Sequence, residues 1–327
     1  MSNPSSLYPF QFKTIDYAGI FPPAALPLKE AIKNYATYRD QSENWMLSKF
    51  VIPSSKLQEL EPYTEIFTKN PPFCFSVLGG TAASTNEFKR ILDTVLTNIT
   101  NFEAAVGKEL VSIEALELKV PVLRDILFIL NIISDTIDKY DTEIGLEIYL
   151  EFNLSQKHNE DLKLILRHIK EFNFNNKNKK IKFIGYKVRT GGVEAKDFPS
   201  IDKLASIVFE CNNYGVQLKA TAGLHHPIRR YDITVQTHMY GFINVIGACI
   251  LSSIHKLKFD TIYEILQDEE PLNFKFTDQK FSWRDYEATK EQIEFSRLKS
   301  FISFGSCSFD EPREDLKSLG LLKRLQE

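Results

Sequence analysis

Long apolar runs, paired cysteines and a large excess of charge of one sign are all missing from this sequence. No run of about eighteen consecutive apolar residues occurs, so we expect no membrane-spanning helix and no membrane partner. With 40 Lys+Arg against 43 Asp+Glu, the net charge of -3 is too small to predict a nucleic-acid partner. The cysteines lie far apart without a CxxC pair, which argues against a zinc knuckle or a disulfide scaffold and favours a reducing compartment; they are Cys74, Cys211, Cys249 and Cys307.

The rest of the composition is that of an ordinary globular protein. Hydrophobic residues make up 43% and charged residues 25% of the 327 positions, which is enough apolar material for a full core. The opening residues, MSNPSSLYPFQF, lack a basic region followed by an apolar run, so we expect a cytoplasmic protein rather than a secreted one.

Apolar runs of strand length alternate with segments of helical periodicity along most of the chain, a pattern typical of a parallel sheet with helical crossovers. The predicted strands are Phe12–Ala18, Met46–Ile52, Phe73–Leu78, Ser112–Val120, Ile144–Glu151, Ile181–Lys187, Val216–Thr221 and Phe301–Phe304. The predicted helices are Leu28–Tyr38, Ser54–Leu60, Thr85–Val106, Leu123–Tyr140, Glu160–Phe172, Ile201–Asn212, His238–Lys256 and Glu314–Leu325. Eight strands in alternation with eight helices predict a (β/α)8 TIM barrel that spans residues 1–327 as a single domain. A doubly wound open sheet stays open as the competing topology.

A segment of mixed, aromatic-bearing sequence, residues 259–298, precedes the eighth predicted strand. Long insertions in compact domains are often functional. We therefore expect either a lid or subunit arm here, or a plain excursion of the chain.

Two lysines, Lys187 and Lys219, fall at the ends of neighbouring predicted strands, where the active sites of barrels lie. Burial and a nearby cation both lower a lysine pKa, and a fall from about 10.4 to about 7 would leave about half of the amine neutral at pH 7. Such an amine can form a Schiff base with an aldehyde or ketone. The alternative is that both lysines only form ion pairs with Glu117 and Glu151.

Glycine-rich turns follow the last three barrel strands. Backbone amides in such turns can converge on an anion, and barrels often bind phosphate on their late loops. The residues predicted to bind the anionic end of a substrate are Arg189, Gly191, Gly192, Gly223, Gly305, Ser306 and Ser308.

The pair His225-His226 suggests a metal, but adjacent strand positions point to opposite faces and no HxH or HExxH spacing accompanies them. We therefore predict no metal site and expect one imidazole, that of His225, to hydrogen-bond substrate or backbone.

The strand ends resemble those of the class I (Schiff-base) deoxyribose-phosphate aldolase family, a (β/α)8 barrel. The family's K-x-x-T-G motif, which bears the Schiff-base lysine, resembles Lys187-Val-Arg-Thr-Gly191, and its second lysine motif is similar to Lys219-Ala-Thr-Ala-Gly223. Its phosphate-binding G-x-S turn is similar to Gly305-Ser-Cys-Ser308. Weaker similarities lie at Ile15-Asp16, Ala115-Leu-Glu117 and Leu150-Glu151, while Arg189, Glu117 in place of Asp, Ala222 and the segment 259–298 depart from the pattern.

The resemblance implies an aldolase-like lyase, a divergent member of that family, that acts on a small, anionic carbonyl compound without a cofactor. Lys187 would be the nucleophile, and Lys219 would lower its pKa and relay protons. Glu117 and Asp16 would transfer protons as general acid and base, and Glu151 would bind substrate. Two alternatives stay open: a transferase or metal-assisted hydrolase that uses His225 or His226, and a ligand-binding barrel without catalysis. The partner is expected to be a small carbonyl or phosphorylated molecule, and a homo-oligomer is an open possibility.

Overall fold

Parallel strands joined by helices organise most of the chain in the computed structural model, which describes residues 4–121, 126–141, 145–152 and 158–323. The strands are β1 (Ile15–Tyr17), β2 (Leu47–Pro53), β3 (Phe73–Thr81), β4 (Val111–Val120), β5 (Leu146–Phe152), β6 (Ile181–Arg189), β7 (Leu218–Thr221), β8 (Arg230–Asp232), β9 (Thr237–Met239), β10 (Phe274–Phe276), β11 (Lys280–Trp283), β12 (Tyr286–Thr289) and β13 (Phe301–Ser306). The helices are α1 (Leu7–Gln11), α2 (Leu28–Arg39), α3 (Thr85–Val106), α4 (Ile126–Ile137), α5 (His158–Asn175), α6 (Ile201–Tyr214), α7 (Phe242–His255), α8 (Phe259–Gln267), α9 (Lys290–Arg297) and α10 (Asp310–Ser318).

Eight of these strands close into a barrel in the order β1-β13-β7-β6-β5-β4-β3-β2. The fold is therefore a (β/α)8 TIM barrel, which confirms the predicted fold class and excludes the open doubly wound sheet. The chain divides into two compact units. The first unit comprises Met1–Ala25, Asp40–Ser48 and Val188–Glu327, and the second comprises Leu26–Arg39 and Lys49–Lys187.

In the second unit, alternating side chains give strand β5 an apolar and a polar face. Along β5, Ile148 and Leu150 are fully buried on one face, while Glu147, Tyr149 and Glu151 share the other. The long crossover helix α3 begins where Ser84 accepts a hydrogen bond from the Glu87 backbone N–H. The alternation along β5 places its charged side chains on the face opposite the aliphatic core.

In the first unit, the segment 259–298 packs around the most apolar helix. Helix α7 is buried along nearly its whole length, from Phe242 to Ser252, and is contacted by α8, α9 and β12 of that segment. A Cβ atom on Gly247 would lie only 2.9 Å from the Phe281 ring, so glycine permits this close contact. The segment consists of two helices and a three-stranded antiparallel sheet, β10-β11-β12, and its role as a lid or arm stays a prediction.

Several predicted boundaries were wrong. The first strand was predicted from Phe12, but α1 ends immediately before this half-exposed residue and β1 spans only Ile15–Tyr17. The helix predicted from His238 begins at Phe242, because residues 237–239 pair with β8 as a short hairpin. Residues 54–60, predicted as a helix, form 3₁₀ turns. Residues 123–125, 144 and 324–325 of three further predicted elements lie outside the described residues.

Candidate active site

The side chain of Lys187 lies between two carboxylates in the second unit. Strands β4, β5 and β6 are neighbours, and their parallel register places Glu151 directly opposite Lys187. Lys187 Nζ lies 2.9 Å from Glu117 Oε2 and 3.0 Å from Glu151 Oε2. The predicted nucleophile Lys187, the predicted acid Glu117 and the predicted substrate-binding residue Glu151 therefore form one cluster, which we call the Lys187 cluster.

Burial strengthens the electrostatics of the Lys187 cluster. Lys187 is 9% exposed and Glu117 is 3% exposed, and Ser76 Oγ donates a 2.6 Å hydrogen bond to Glu117 Oε1. Burial lowers the pKa of Lys187, but the carboxylates of Glu117 and Glu151 outweigh it and hold that pKa above its ordinary value. At rest Lys187 is thus an ammonium ion, in contrast to the lowered pKa expected from its sequence position.

The other predicted catalytic pair lies in the first unit. Lys219 of β7 forms an ion pair with Asp16 of β1, and Ser303 Oγ donates a 2.6 Å hydrogen bond to Asp16 Oδ2. Strand β13 pairs with both β1 and β7, so it brings the three residues together. Lys219 is 1% exposed and the other two are fully buried. The proposed effect of Lys219 on the pKa of Lys187 stays a prediction.

Two of the predicted anion-binding glycines serve a close contact between the turns that follow β6 and β7. A Cβ atom on Gly223 would lie 2.8 Å from the Cα atom of Gly191, and Gly223 has a φ of +76°. Beside this contact the Thr190 N–H donates a 2.9 Å hydrogen bond to the Thr221 carbonyl. Glycine is therefore required here by the path of the backbone alone.

The turn at Gly192 already contains a carboxylate from the chain itself. Asp197 Oδ2 accepts hydrogen bonds of 3.1 Å from the backbone N–H groups of Val193 and Glu194. A Cβ atom on Gly192 would collide with this carboxylate. The side chain of Asp197 thus takes two of the amides nearest the glycines predicted to bind a substrate anion, and Arg189 beside them is exposed.

The turn after β13 leads into α10, and its serine side chains already form hydrogen bonds there. Ser306 Oγ donates a 2.7 Å hydrogen bond to the Ser308 carbonyl, and Ser308 Oγ accepts one of 3.1 Å from the Glu311 N–H. The first turn of α10 carries Asp310 and Glu311, whose charges oppose a second anion there. Gly305 remains uncrowded, since a Cβ atom would lie 3.4 Å from the nearest side-chain atom.

His225 and His226 follow β7 and both contact α10. His225 Nδ1 lies 2.8 Å from Glu311 Oε2, and His226 Nδ1 lies 2.7 Å from Asp315 Oδ2. The hydrogen bond with His225 is the main reason that the pKa of Glu311 lies below its ordinary value. The expectation that the two rings point to opposite faces was wrong, because β7 ends at residue 221 and the histidines lie in the loop beyond it.

A third cluster of charges, which the sequence pattern did not reveal, surrounds the buried Glu147 in the second unit. Lys49 Nζ lies 3.2 Å and the Tyr149 hydroxyl 3.0 Å from Glu147 Oε2, while Lys182 Nζ lies 2.9 Å from Glu147 Oε1. Burial raises the pKa of Glu147, but Lys49 and Lys182 outweigh it and lower that pKa to about 2. The spacing of two between Glu147, Tyr149 and Glu151 is the signal that could have revealed a polar strand face.

The described part of the chain contains neither a group of side chains placed to hold a metal ion nor a helix suited to cross a membrane. There, no group of three or more His, Cys, Asp or Glu side chains is placed to hold a metal ion. None of the described helices combines the length and the apolar character that a bilayer crossing requires.

The combination that emerges is a TIM barrel with buried lysine–carboxylate clusters on its strands. No family model matches the sequence and no curated protein matches it, so the resemblance to the deoxyribose-phosphate aldolase family stays a prediction. Among solved structures, dihydrodipicolinate synthase from Thermotoga maritima is similar at 12% identity and a TM-score of 0.37, over 95% of this chain and 100% of that chain. The assignment of the fold rests on the strand order of this chain itself.

Proposed function

We propose that the protein is an aldolase-like lyase that forms a Schiff base between Lys187 and a small, anionic carbonyl compound. The observation that carries this proposal is the position of Lys187 Nζ, buried between Glu117 and Glu151 at 2.9 and 3.0 Å. A nucleophilic amine needs a group that removes its proton and an acid that later releases water, and the two carboxylates can supply both.

The first step is a proton transfer within the Lys187 cluster. Because Lys187 rests as an ammonium ion, its proton must pass to Glu117 before the amine can react, which leaves a neutral amine, a neutral acid and an ionised Glu151. A buried site favours this exchange when a carbonyl compound displaces water, since two neutral groups are less costly to desolvate than two ions.

Carbon–nitrogen bond formation then follows. The nitrogen lone pair attacks the carbonyl carbon, the π electrons move to oxygen, and a proton passes from nitrogen to that oxygen to give a carbinolamine. Glu117 returns its proton to the hydroxyl group, water leaves, and the nitrogen lone pair completes the C=N bond. Glu117 and Glu151 then stand as counter-ions beside the positive iminium, which can accept the electron pair of a breaking carbon–carbon bond.

Borohydride trapping tests the proposal. The protein is incubated with a panel of small aldehydes, ketones and sugar phosphates, reduced, and analysed by intact mass and peptide mapping. A reduced adduct on Lys187 that is lost in Lys187→Ala supports Schiff-base chemistry. Lys182→Ala is the matched control, because Lys182 lies on the same strand with its side chain 60% exposed. Adducts that disappear equally in both variants, or never form on Lys187, refute the mechanism.

One observation favours a second candidate, a ligand-binding barrel without catalysis. The raised pKa of Lys187 is what a purely structural ion pair would produce. In that case no carbonyl compound labels Lys187 at neutral pH, although ligands still bind. The transferase or hydrolase alternative has weaker support, since both imidazoles are engaged with carboxylates of α10.

A further inference from the structure

Strand β4 carries a lysine, Lys119, on the same face as Glu117. Over its second half, β4 pairs with β5 residue by residue without a bulge, so its side chains alternate regularly between two faces. Leu118 points towards α3, since a Cβ atom on Gly79 would lie 2.8 Å from the Leu118 side chain and 3.8 Å from that of Val95. Lys119 therefore returns to the face of Glu117, at the end of the strand where barrel active sites lie.

The register of the strands places Lys119 beside the Lys187 cluster, in the same unit. Lys119 is directly opposite Glu151 of β5, and Glu151 is directly opposite Lys187 of β6. Because neighbouring strands are about 4.8 Å apart, the backbones of the two lysines lie on the order of 10 Å apart, one on either side of β5. Two long side chains at this separation on one face can contact the two ends of one small molecule.

The charge of Lys119 is available to a ligand. Lys119 is partly exposed, and its ammonium group makes no ion pair and no hydrogen bond with another described residue. Two other lysines on strands of this unit are already held by a carboxylate, because Lys49 of β2 and Lys182 of β6 both contact Glu147 at 3.2 and 2.9 Å. Lys119 thus differs from them in having a position next to the Lys187 cluster without a counter-ion among the described side chains.

The charges of the Lys187 cluster make a further cation necessary for an anionic substrate. The cluster sets the single ammonium of Lys187 against the two carboxylates of Glu117 and Glu151. An anion that enters beside two carboxylates is repelled, and the repulsion grows as water is excluded from the site. On the same face, Lys119 supplies the positive charge that can offset this repulsion.

We infer that Lys119 binds the anionic group of the substrate and determines the specificity of the site for charged carbonyl compounds. The inference rests on the proposed function, because it assigns the two ends of one molecule, the carbonyl carbon to Lys187 and the anionic group to Lys119. It replaces the anion site predicted at the glycine turns, where Asp197 already takes two backbone amides. Carboxylate and phosphate groups share the required chemistry, since both accept charge-assisted hydrogen bonds from an ammonium group.

Three variants isolate the charge of Lys119. Lys119→Gln removes the ammonium group, while Lys119→Arg keeps a positive charge at the same position. Lys89→Gln is the matched control, because Lys89 is an exposed lysine on α3 of the same unit that likewise makes no ion pair with a described residue. Since Lys119 is partly exposed and has no described partner to lose, Lys119→Gln should unfold at the same urea concentration as the wild type.

Borohydride trapping with matched ketones tests the inference. The pairs are 2-oxobutanoate with butan-2-one, 4-oxopentanoate with pentan-2-one, and dihydroxyacetone phosphate with dihydroxyacetone, so that the spacing between the carbonyl carbon and the anionic group varies. We expect Lys119→Gln to slow the labelling of Lys187 by the anionic member of at least one pair about tenfold or more, and to leave the neutral member unchanged. Lys119→Arg and Lys89→Gln should label as the wild type does. An equal effect of Lys119→Gln on both members of every pair, or no effect, overturns the inference and retains the Schiff base.

Calorimetry with anions that cannot form a Schiff base separates the anion site from the chemistry. Butanoate and propyl phosphate are titrated into the wild type and the three variants. We expect at least one of them to bind the wild type, Lys119→Arg and Lys89→Gln, and to bind Lys119→Gln about tenfold or more weakly. Binding that depends on Lys119, without labelling of Lys187 by any ketone, retains the anion site and refutes the Schiff base. Absence of both binding and labelling overturns both proposals.

Discussion

Glu117 Oε2 lies 2.9 Å from Lys187 Nζ, on a carboxylate whose other oxygen receives a hydrogen bond from Ser76. This geometry holds the carboxylate in the position needed to take the lysine proton. A second carboxylate, Glu151, stays ionised and balances the charge of the iminium that would form. The Lys187 cluster can therefore release a neutral amine without a lowered lysine pKa.

The pH dependence of trapping should reveal this internal proton transfer. In the wild type, the initial rate of borohydride-trapped adduct formation on Lys187 should change little between about pH 6 and 9, because Glu117 takes the proton. In Glu117→Gln the amine must lose its proton to water, so the rate should rise about tenfold per pH unit below the lysine pKa. Peptide mapping of the adduct on Lys187 provides the measurement.

The matched control for this profile is Glu151→Gln, which removes the other carboxylate but keeps Glu117 as the acceptor. Its profile should stay as flat as that of the wild type. A tenfold rise per pH unit in the wild type itself would contradict the internal transfer.

The contacts of Glu147 with Lys49, Lys182 and Tyr149 predict a specific loss of stability in acid. The pKa of Glu147 is about 2 in the folded protein, below its ordinary value of 4.5, so the unfolded chain takes up this proton first as the pH falls. The stabilisation is therefore complete above about pH 4.5 and is lost between about pH 4.5 and 2, by about 3 kcal/mol. Urea denaturation across this range should show a steeper decline for the wild type than for Glu147→Gln.

Lys49→Met provides the complementary measurement. Removing the Lys49 ammonium, which lowers the pKa of Glu147 more than any other charge, should bring that pKa back towards its ordinary value and flatten the same decline. Parallel curves for all three proteins would show that Glu147 does not carry this pH dependence.

Two glycines with similar positive φ angles should respond differently to alanine. Gly215, at the end of α6, has a φ of +67° and no atom within 4 Å of an added Cβ, so Gly215→Ala should cost only about 1 kcal/mol. Gly223 has a φ of +76° and would also bring its Cβ to 2.8 Å from the Gly191 Cα atom. Gly223→Ala should therefore cost about 3 kcal/mol or more in the free energy of unfolding. Equal costs for the two variants would show that the turns carrying Gly191 and Gly223 can move apart without loss of stability.

The barrel could be predicted from the sequence because its strands are read from local patterns. Runs such as residues 181–187 are apolar, bounded by polar turns and followed by helical periodicity, and β6 begins at the predicted residue. Segment 259–298 was not interpretable in this way. Its helices and short strands are stabilised by packing on α7, which is a long-range contact without a local signature.

The candidate site, too, could be predicted from the sequence only in part. The sequence pointed to Lys187, Glu117 and Glu151 because each lies near the end of a predicted strand, and the structure brings the three together. It did not reveal the resting charge of Lys187, since that depends on two carboxylates from other strands. Nor did it indicate that the side chain of Asp197 would turn back onto the amides of the glycine turn.

The Asp16–Lys219 pair should be a major source of stability in the first unit, whatever its part in catalysis. Asp16 and Ser303 are fully buried and Lys219 nearly so, and Asp16 accepts hydrogen bonds from both. Asp16→Asn removes the negative charge that faces a buried ammonium and should cost about 3–5 kcal/mol in the free energy of unfolding. Ser303→Ala removes one hydrogen bond to that charge and should cost about 2 kcal/mol. Guanidinium denaturation of the two variants measures both costs. A smaller cost for Asp16→Asn than for Ser303→Ala would mean that the ion pair stabilises the protein less than the hydrogen bond from Ser303 does. Because Ser303 contributes through its hydrogen bond to the Asp16 carboxylate, the double variant should cost less than the sum of the single changes.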